Sequence, residues 1–348
     1  MLYIHQSTCI SPQQTFPGIH LENYHGPRDN KLLAIEPSYE SIPKGILRRM
    51  SKPVRMGIGA ALPMLERAKE PDGVIIGTAN AGMEDCFHFL KQMVDYNEGL
   101  LTPGNFVQST PNALAGQLGM LKHNKGYNIT HVHLGLAFEN ALLDAAMRLE
   151  EYQTHSYLLG AVDDISVYNY AINLLDGWFK QEQDLGIGLY DTDTRGSIPG
   201  EAAAMFLVSA NKQDSIAKLE GLHMMHSRDK AEVSHQLEKF LAVHLPANET
   251  IDLLISGENG DNRLTDFYRS CEQSLPADTG ILRFKHMSGE YPTASAMALW
   301  ICCQVFQDQS IPGHMIKRNW QEKEIRRILI YNNFKGAQHS FILLSRGG

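Results

Sequence analysis

The sequence has no excess of basic residues: 31 Lys and Arg are outnumbered by 39 Asp and Glu, for a net charge of −8. Such a chain has little with which to neutralise a phosphate backbone or an anionic headgroup layer, which argues against nucleic acid and membrane surfaces as partners. No run of about 18 apolar residues is present, so no helix is expected to span a bilayer. The opening residues, MLYIHQSTCISPQQTF, lack a basic stretch followed by an apolar one, and no signal peptide is expected. The five cysteines (Cys9, Cys86, Cys271, Cys302 and Cys303) are scattered and odd in number, with no CxxC pair and no Cys/His cluster at zinc spacing. Reduced thiols in a cytoplasm are therefore expected, and neither a metal nor a cofactor is implied. The most informative absence is at residues 131–140, HVHLGLAFEN, where a strand pattern meets a helix pattern. That turn contains no cysteine or serine to act as a nucleophile.

What is present is ordinary for a globular protein: 348 residues, 43% hydrophobic and 20% charged, enough for a large core. Residues 1–50 read as irregular, strand-like wrapping. Residues 73–79 (GVIIGTA) form a continuous apolar run, the mark of a strand buried on both faces. Helices are expected at 83–96, with Phe87, Leu90 and Met93 on one face, and at 112–123, with Thr110 as cap and Pro111 in the first turn. A strand at 128–134 leads to a helix at 138–151 that turns Leu142, Ala145, Ala146 and Leu149 inward. Strands follow at 157–162, 202–210 and 218–226, and residues 176–197 read as a polar excursion. The second half replays the order: helix 234–245, strand 251–256, helix 264–275, strand 281–286, a helix at 294–307 capped by Thr293, and strands 327–332 and 340–345.

Each half reads roughly β-α-β-α-β-β, a repetition of pattern and not of identity. An α/β fold of two halves, 1–230 and 231–348, is expected, with two mostly parallel sheets sandwiching helices in one compact domain. The run ASAMA at 294–298 suits a helix pressed between two sheets. In such a fold the chemistry belongs where buried helices start, because their free N–H groups and partial positive charge can stabilise a thiolate or an oxyanion. The starts of the helices after 131–134 and after Lys285 are the candidate places.

Five blocks of sequence resemble the β-ketoacyl synthases, in that family's order: DGVIIGTANAGMEDC, LLTPGNFVQSTPNALAGQLGMLKHNKGYNIT, SIPGEAAAMFLVSA, FKHMSGEYPTASAMALWICCQVFQDQSIP and NNFKGAQHSFILL. The resemblance covers about residues 45–346. It implies the thiolase-like fold, duplicated halves in a five-layer α-β-α-β-α sandwich. Active members of that family carry a cysteine that takes an acyl chain from a carrier protein, two histidines that serve decarboxylation and the enolate, and a supporting lysine. Carried onto this chain, the cysteine falls at Gly135, nine residues before Asp144. The first histidine falls at Ser256, in SGENGD, with Gly257 as the slipped register. The second falls at Glu290, the lysine at Lys285, and the phenylalanine of the closing motif at Phe334.

Only the lysine survives of the four chemical groups. A Glu290 carboxylate about 4 Å from a developing enolate would cost roughly 4 kcal/mol at an effective dielectric near 20. That is about three orders of magnitude in rate. Glu290 is expected instead to pair with Lys285. His133, two residues before Gly135, reads as a packed strand residue or a substitute base. His131 and His133 share a strand face, a metal pair without a third ligand. Cys86 reads as a buried inert thiol, Cys302–Cys303 as core, and His223 and His226 as sheet residues. SGENGDNRLTD lacks calcium-loop spacing and reads as a turn and helix cap. GIG at 57–59 and at 186–188 is too short for a nucleotide site.

The resemblance implies a subunit like the chain-length factor of heterodimeric polyketide and aryl-polyene systems: no catalysis, a heterodimer with an active ketosynthase, and an acyl carrier protein as a further candidate partner. Related proteins place such a subunit in polyene or flexirubin-type pigment pathways. The loop 104–111 is the segment expected to shape the partner's acyl tunnel. Phe106, Val107 and Gln108 either reach across the dimer axis or pack under their own helix. The alternative is a divergent acyltransferase or condensing enzyme that uses Lys285, Glu290 and His133 as an acid–base group. A homodimeric acyl-binding relic is a third reading.

Overall fold

The computed structural model describes every residue except 23, 68–69, 182–187, 247–248 and 321–323. The strands are β1 (Leu2–Ile10), β2 (Gly73–Gly77), β3 (Tyr127–His131), β4 (Ser156–Asp163), β5 (Ala202–Ser209), β6 (Ala217–His226), β7 (Leu253–Ser256), β8 (Gly280–Arg283), β9 (Ile316–Arg318), β10 (Arg327–Phe334) and β11 (Gln338–Arg346). The helices are α1 (Lys44–Leu47), α2 (Lys52–Arg67), α3 (Met83–Asp95), α4 (Pro103–Gln108), α5 (Ala113–Lys122), α6 (Ala137–Glu151), α7 (Val167–Leu175), α8 (Lys230–His244), α9 (Thr265–Gln273), α10 (Lys285–Ser288) and α11 (Ala294–Asp308).

The strands form one sheet in the order β3-β2-β4-β5-β1-β6-β11-β10-β7-β8-β9. The run β3-β2-β4-β5-β1 recurs as β8-β7-β10-β11-β6, with the same sense at every pairing. The first two pairings are parallel and the last two antiparallel in both. The two runs meet edge to edge where β1 pairs with β6 through Leu2–Leu219, Tyr3–Lys218 and Ile4–Ala217. The expectation of two mostly parallel sheets is therefore corrected. The duplicated halves share one mixed sheet, because β1 and β6 each run against both neighbours.

The core falls into three apolar layers set by the alternation of side chains along the strands. Ile75 of β2 and Ile330 of β10 face a central layer that holds α6 and α11. Val74 and Ile76 face an outer layer under α2 and α5. Leu329 and Tyr331 face the opposite outer layer under α8 and α9. With the strand layers between them, this is the α-β-α-β-α order. Helix α11 is buried from Ala294 to Phe306. Its small residues let two strand layers approach from both sides, and Trp300 fills the remaining volume.

Several local expectations are corrected. Residues 2–10 are a central strand and not wrapping. Polar His5, Gln6, Ser7 and Thr8 interrupt the apolar run, and a bulge lies between Ile4 and Gln6. These polar groups are satisfied by neighbours: His5 by Ser209 at 2.8 Å, and Thr8, which donates to the Ala60 carbonyl at 2.6 Å. The loop expected at 104–111 begins as helix α4, with Pro103 at its start. Helix α5 starts after Asn112, not after Thr110. The strand expected at 281–286 ends at Arg283, and Lys285 opens the single turn α10. Thr293 sits at the start of α11 without capping it; its hydroxyl donates to Asp163 Oδ2 at 2.8 Å. Cys86 is half-buried on α3, a helix with no fully buried residue, and not enclosed in a core. The GIG at 186–188 lies largely outside the described residues.

Candidate functional site

Strand β3 ends at His131, and the chain then turns through a short 3-10 segment, Leu134–Leu136, into α6. Leu134 takes the left-handed conformation at φ +48°, which costs a non-glycine residue of order 1 kcal/mol. Gly135 follows, buried at the head of the central helix. Its N–H donates to Gln338 Oε1 at 2.8 Å. A Cβ on Gly135 would lie 2.2 Å from Phe334 Cβ and 2.5 Å from Phe334 Cγ. Position 135, where the sequence resemblance puts the cysteine, therefore has neither a side chain nor room for one, and its backbone donor is already engaged.

Lys285 opens the turn α10, and Glu290 follows two residues after its end. Lys285 is fully buried, and its Nζ lies 3.0 Å from Glu290 Oε1, the pairing expected from sequence. Asn259 donates to the other oxygen, Glu290 Oε2, at 2.7 Å. Both carboxylate oxygens are thus held, and the Glu290 backbone is pinned by Ile198 and Gly200 at 2.7 and 3.1 Å. Ser256 is buried at the end of β7, where its Oγ accepts a long contact from Glu258 N–H, 3.4 Å. A Cβ on Gly257, the slipped register, would lie 2.4 Å from Asn332 Oδ1.

Glu290, Leu134, Asn259 and Phe334 line a cavity of about 270 Å³, together with Asp164 and residues of α7 and the 178–179 segment. Asp164 was not singled out by the sequence. Burial, with Glu201 and Asp163 nearby, pushes its carboxyl up to about 7. Burial likewise lowers the Lys335 ammonium on the same wall below the usual lysine range. Glu139 of α6 is buried, accepts from Ser340 Oγ at 2.7 Å, and has its carboxyl raised by desolvation.

His133 is not a packed core residue. It is exposed beyond the end of β3, with Nδ1 3.0 Å from Asn140 Nδ2, and it does not line the cavity. His131 turns to Asp144, 2.8 Å away. The structure therefore brings Lys285 and Glu290 together and leaves His133 apart. Of the residues on α4, Phe106 and Val107 are exposed, 58% and 57%, whereas Gln108 is buried with its Oε1 3.5 Å from Ser51 Oγ. The geometry thus places Phe106 and Val107, but not Gln108, on the outer face. Met120, Val132 and Met147 are likewise exposed, and Val132 directly follows β3, the first strand of the sheet.

Gln338 and Asn259 escaped sequence reasoning, although both lie inside motifs that were read. The first stands four residues after Phe334 and the second three after Ser256; their residue type gave the only signal.

Residues 27–242 match the family model described as beta-ketoacyl synthase, N-terminal domain. No curated protein matches the chain by sequence. The ketosynthase ApeO in complex with its chain length factor ApeC, from Xenorhabdus doucetiae, aligns with a TM-score of 0.72 at 14% identity, covering 99% of this chain and 98% of that one. The ishigamide ketosynthase/chain length factor aligns with a TM-score of 0.79 at 14% identity, covering 100% and 99%. AntDE:AntF, a type II PKS acyl-carrier protein in complex with its ketosynthase bound to the hexaketide, aligns with a TM-score of 0.72 at 12% identity, covering 99% of each chain. At these identities the likeness establishes the fold, the thiolase-like architecture expected from the sequence.

Proposed function

The chain belongs to the β-ketoacyl synthase family, and from that premise we propose that it is a non-catalytic subunit of the chain-length-factor type, paired with an active ketosynthase in polyketide or polyene chain assembly. The observation that carries this reading is Gly135. A nucleophile is absent there, Phe334 occupies the volume its side chain would need, and Gln338 holds the N–H that would stabilise an oxyanion. The Lys285–Glu290–Asn259 arrangement supports it. A carboxylate with both oxygens engaged is committed to a structural role, and an enolate beside it would meet like charge.

The exposed apolar surface around Phe106, Val107, Met120, Val132 and Met147 supports a heterodimer. Large exposed apolar side chains that gather in one patch mark association sites. In this reading Phe106 and Val107 reach the partner and bound its acyl tunnel by side-chain volume. The subunit works in the cytoplasm, and carrier protein visits the assembly and not this chain alone.

Co-expression with a ketosynthase that retains its cysteine tests the reading. A stable heterodimer is expected, with condensation lost when the partner's cysteine is replaced and none by the isolated chain on acyl-carrier thioesters. A monodisperse homodimer that ignores every such partner, or turnover by the isolated chain, overturns it.

A further inference from the structure

Lys335 stands on the cavity wall, in the turn that joins β10 to β11. The Ala337 N–H closes that turn on the Phe334 carbonyl at 3.2 Å. Its two central residues, Lys335 and Gly336, both have positive φ, +55° and +63°. Glycine and asparagine suit that left-handed region, and Asn-Gly is the usual pair in a tight hairpin turn of this kind. The turn by itself therefore gives no reason for a lysine.

The side chain is half-buried, and its end lies among other residues of the same wall. Nζ donates to Asn173 Oδ1 at 2.6 Å. It lies 5.0 Å from the centre of the Trp178 ring and 5.6 Å from that of Phe334. Among the described residues Asn173 is its one hydrogen-bond acceptor, and no carboxylate is paired with it. Lys285 is the contrast, fully buried but with Glu290 3.0 Å from its Nζ. An ammonium has three protons to place, whereas a neutral amine places fewer and exposes a lone pair. Burial, helped by Arg263 and opposed by Asp176 and Glu290, lowers the Lys335 ammonium below the usual lysine range. A desolvated lysine on an apolar wall is the setting in which an amine becomes a nucleophile towards carbonyl carbon.

We propose that Lys335 is a reactive amine through which the cavity binds a small apolar aldehyde as an imine. The Nζ lone pair attacks the carbonyl carbon and a C=N bond forms. The carbonyl oxygen leaves as water with two hydrogens from the nitrogen. From the ammonium form the product is an iminium of the same charge, and Glu290 and Asp176, whose charges already act on Nζ, balance it. An aldehyde needs no leaving group for this step. Leu134, Ile172 and the Trp178 and Phe334 rings give its alkyl chain an apolar wall. This binding belongs to the chain alone and stands or falls independently of the pairing with a ketosynthase.

Hexanal is the probe. The full chain is incubated with it at pH 7.5 in the presence of cyanoborohydride, which fixes imines as secondary amines, and peptide mass spectrometry reads each lysine. Lys335 is expected to be alkylated about tenfold faster than the exposed Lys91 and Lys239, the ratio that one unit of lowering gives. Its rate should saturate as hexanal rises, while theirs grows in proportion. The preference should shrink at pH 10, where exposed lysines also lose their protons. In Lys335→Asn, which the turn accepts, the saturable labelling should vanish and that of Lys91 and Lys239 should not change. Alkylation of Lys335 no faster than that of Lys91 overturns the proposal. So does a rate at Lys335 proportional to hexanal, which shows an amine without a binding site, or saturable labelling that survives in Lys335→Asn.

Discussion

Gly135 and Phe334 are packed so that a methyl group on the first would lie 2.2 Å from Cβ of the second. The ring does more than border the cavity: it takes the space that the side chain of a nucleophile would enter. A cysteine placed at position 135 by itself therefore has no room. Gly135→Cys is expected to remain unacylated by acyl thioesters, while Gly135→Cys with Phe334→Gly, which removes the Cβ as well as the ring, gains room and accepts the acyl group. Intact-protein mass spectrometry distinguishes the two, and an acylated single variant would contradict the packing described.

Lys285 and Glu290 are best tested as a pair. Removing one partner of a buried ion pair leaves the other uncompensated, which costs roughly 3–5 kcal/mol. Glu290→Gln and Lys285→Met should each fall in that range by denaturant unfolding. The double variant Lys285→Met/Glu290→Leu should cost less than the sum of the single variants, since no stranded charge remains. Additive losses would show that the two do not interact.

Asp164 makes stability depend on pH. Its folded-state value of about 7 lies above the free carboxyl value, so its stabilising share is complete in acid and is lost as pH rises from about 4 through about 7. Asp164→Asn removes that loss. The melting temperature should rise relative to wild type at pH 8 and change little at pH 4. An equal effect at both pH values would assign the change to packing.

The apolar face is testable without chemistry. Val132→Lys and Met147→Glu replace exposed side chains, so each should change the stability of the isolated chain by no more than ~0.5 kcal/mol. Both should abolish co-purification with the partner ketosynthase. Retained pairing would move the interface elsewhere on the molecule.

Much of this fold can be read from the chain itself, because buried strands such as β2 and the central helix α11 are apolar on every side. The elements that escaped have physical reasons. Polar residues at the centre of β1 find partners only after folding. Helix α2 contains Gly57, Gly59 and Pro63, which weaken its local preference. Helix α7 buries no residue fully, so its stripe has no core to report. At the site, Gly135 and the Lys285–Glu290 pair are legible because motif spacing or a short turn fixes them. The Gln338–Gly135 and Asn259–Glu290 bonds span 203 and 31 residues, and nothing local in the chain specifies them.

The place of β1 between β5 and β6 has a consequence for synthesis. Residues 2–10 are synthesised about two hundred residues before their neighbours in the sheet, which begin at residues 202 and 217. β6 then waits in turn for β11, whose first residue is 338. Contacts so distant along the chain form slowly, and unpaired strand edges stay exposed while they wait. During translation the opening strand is a ribbon without a partner for about two hundred residues of growth. It should be a principal customer for chaperones, and a pause in elongation before β6 emerges should be where this protein aggregates.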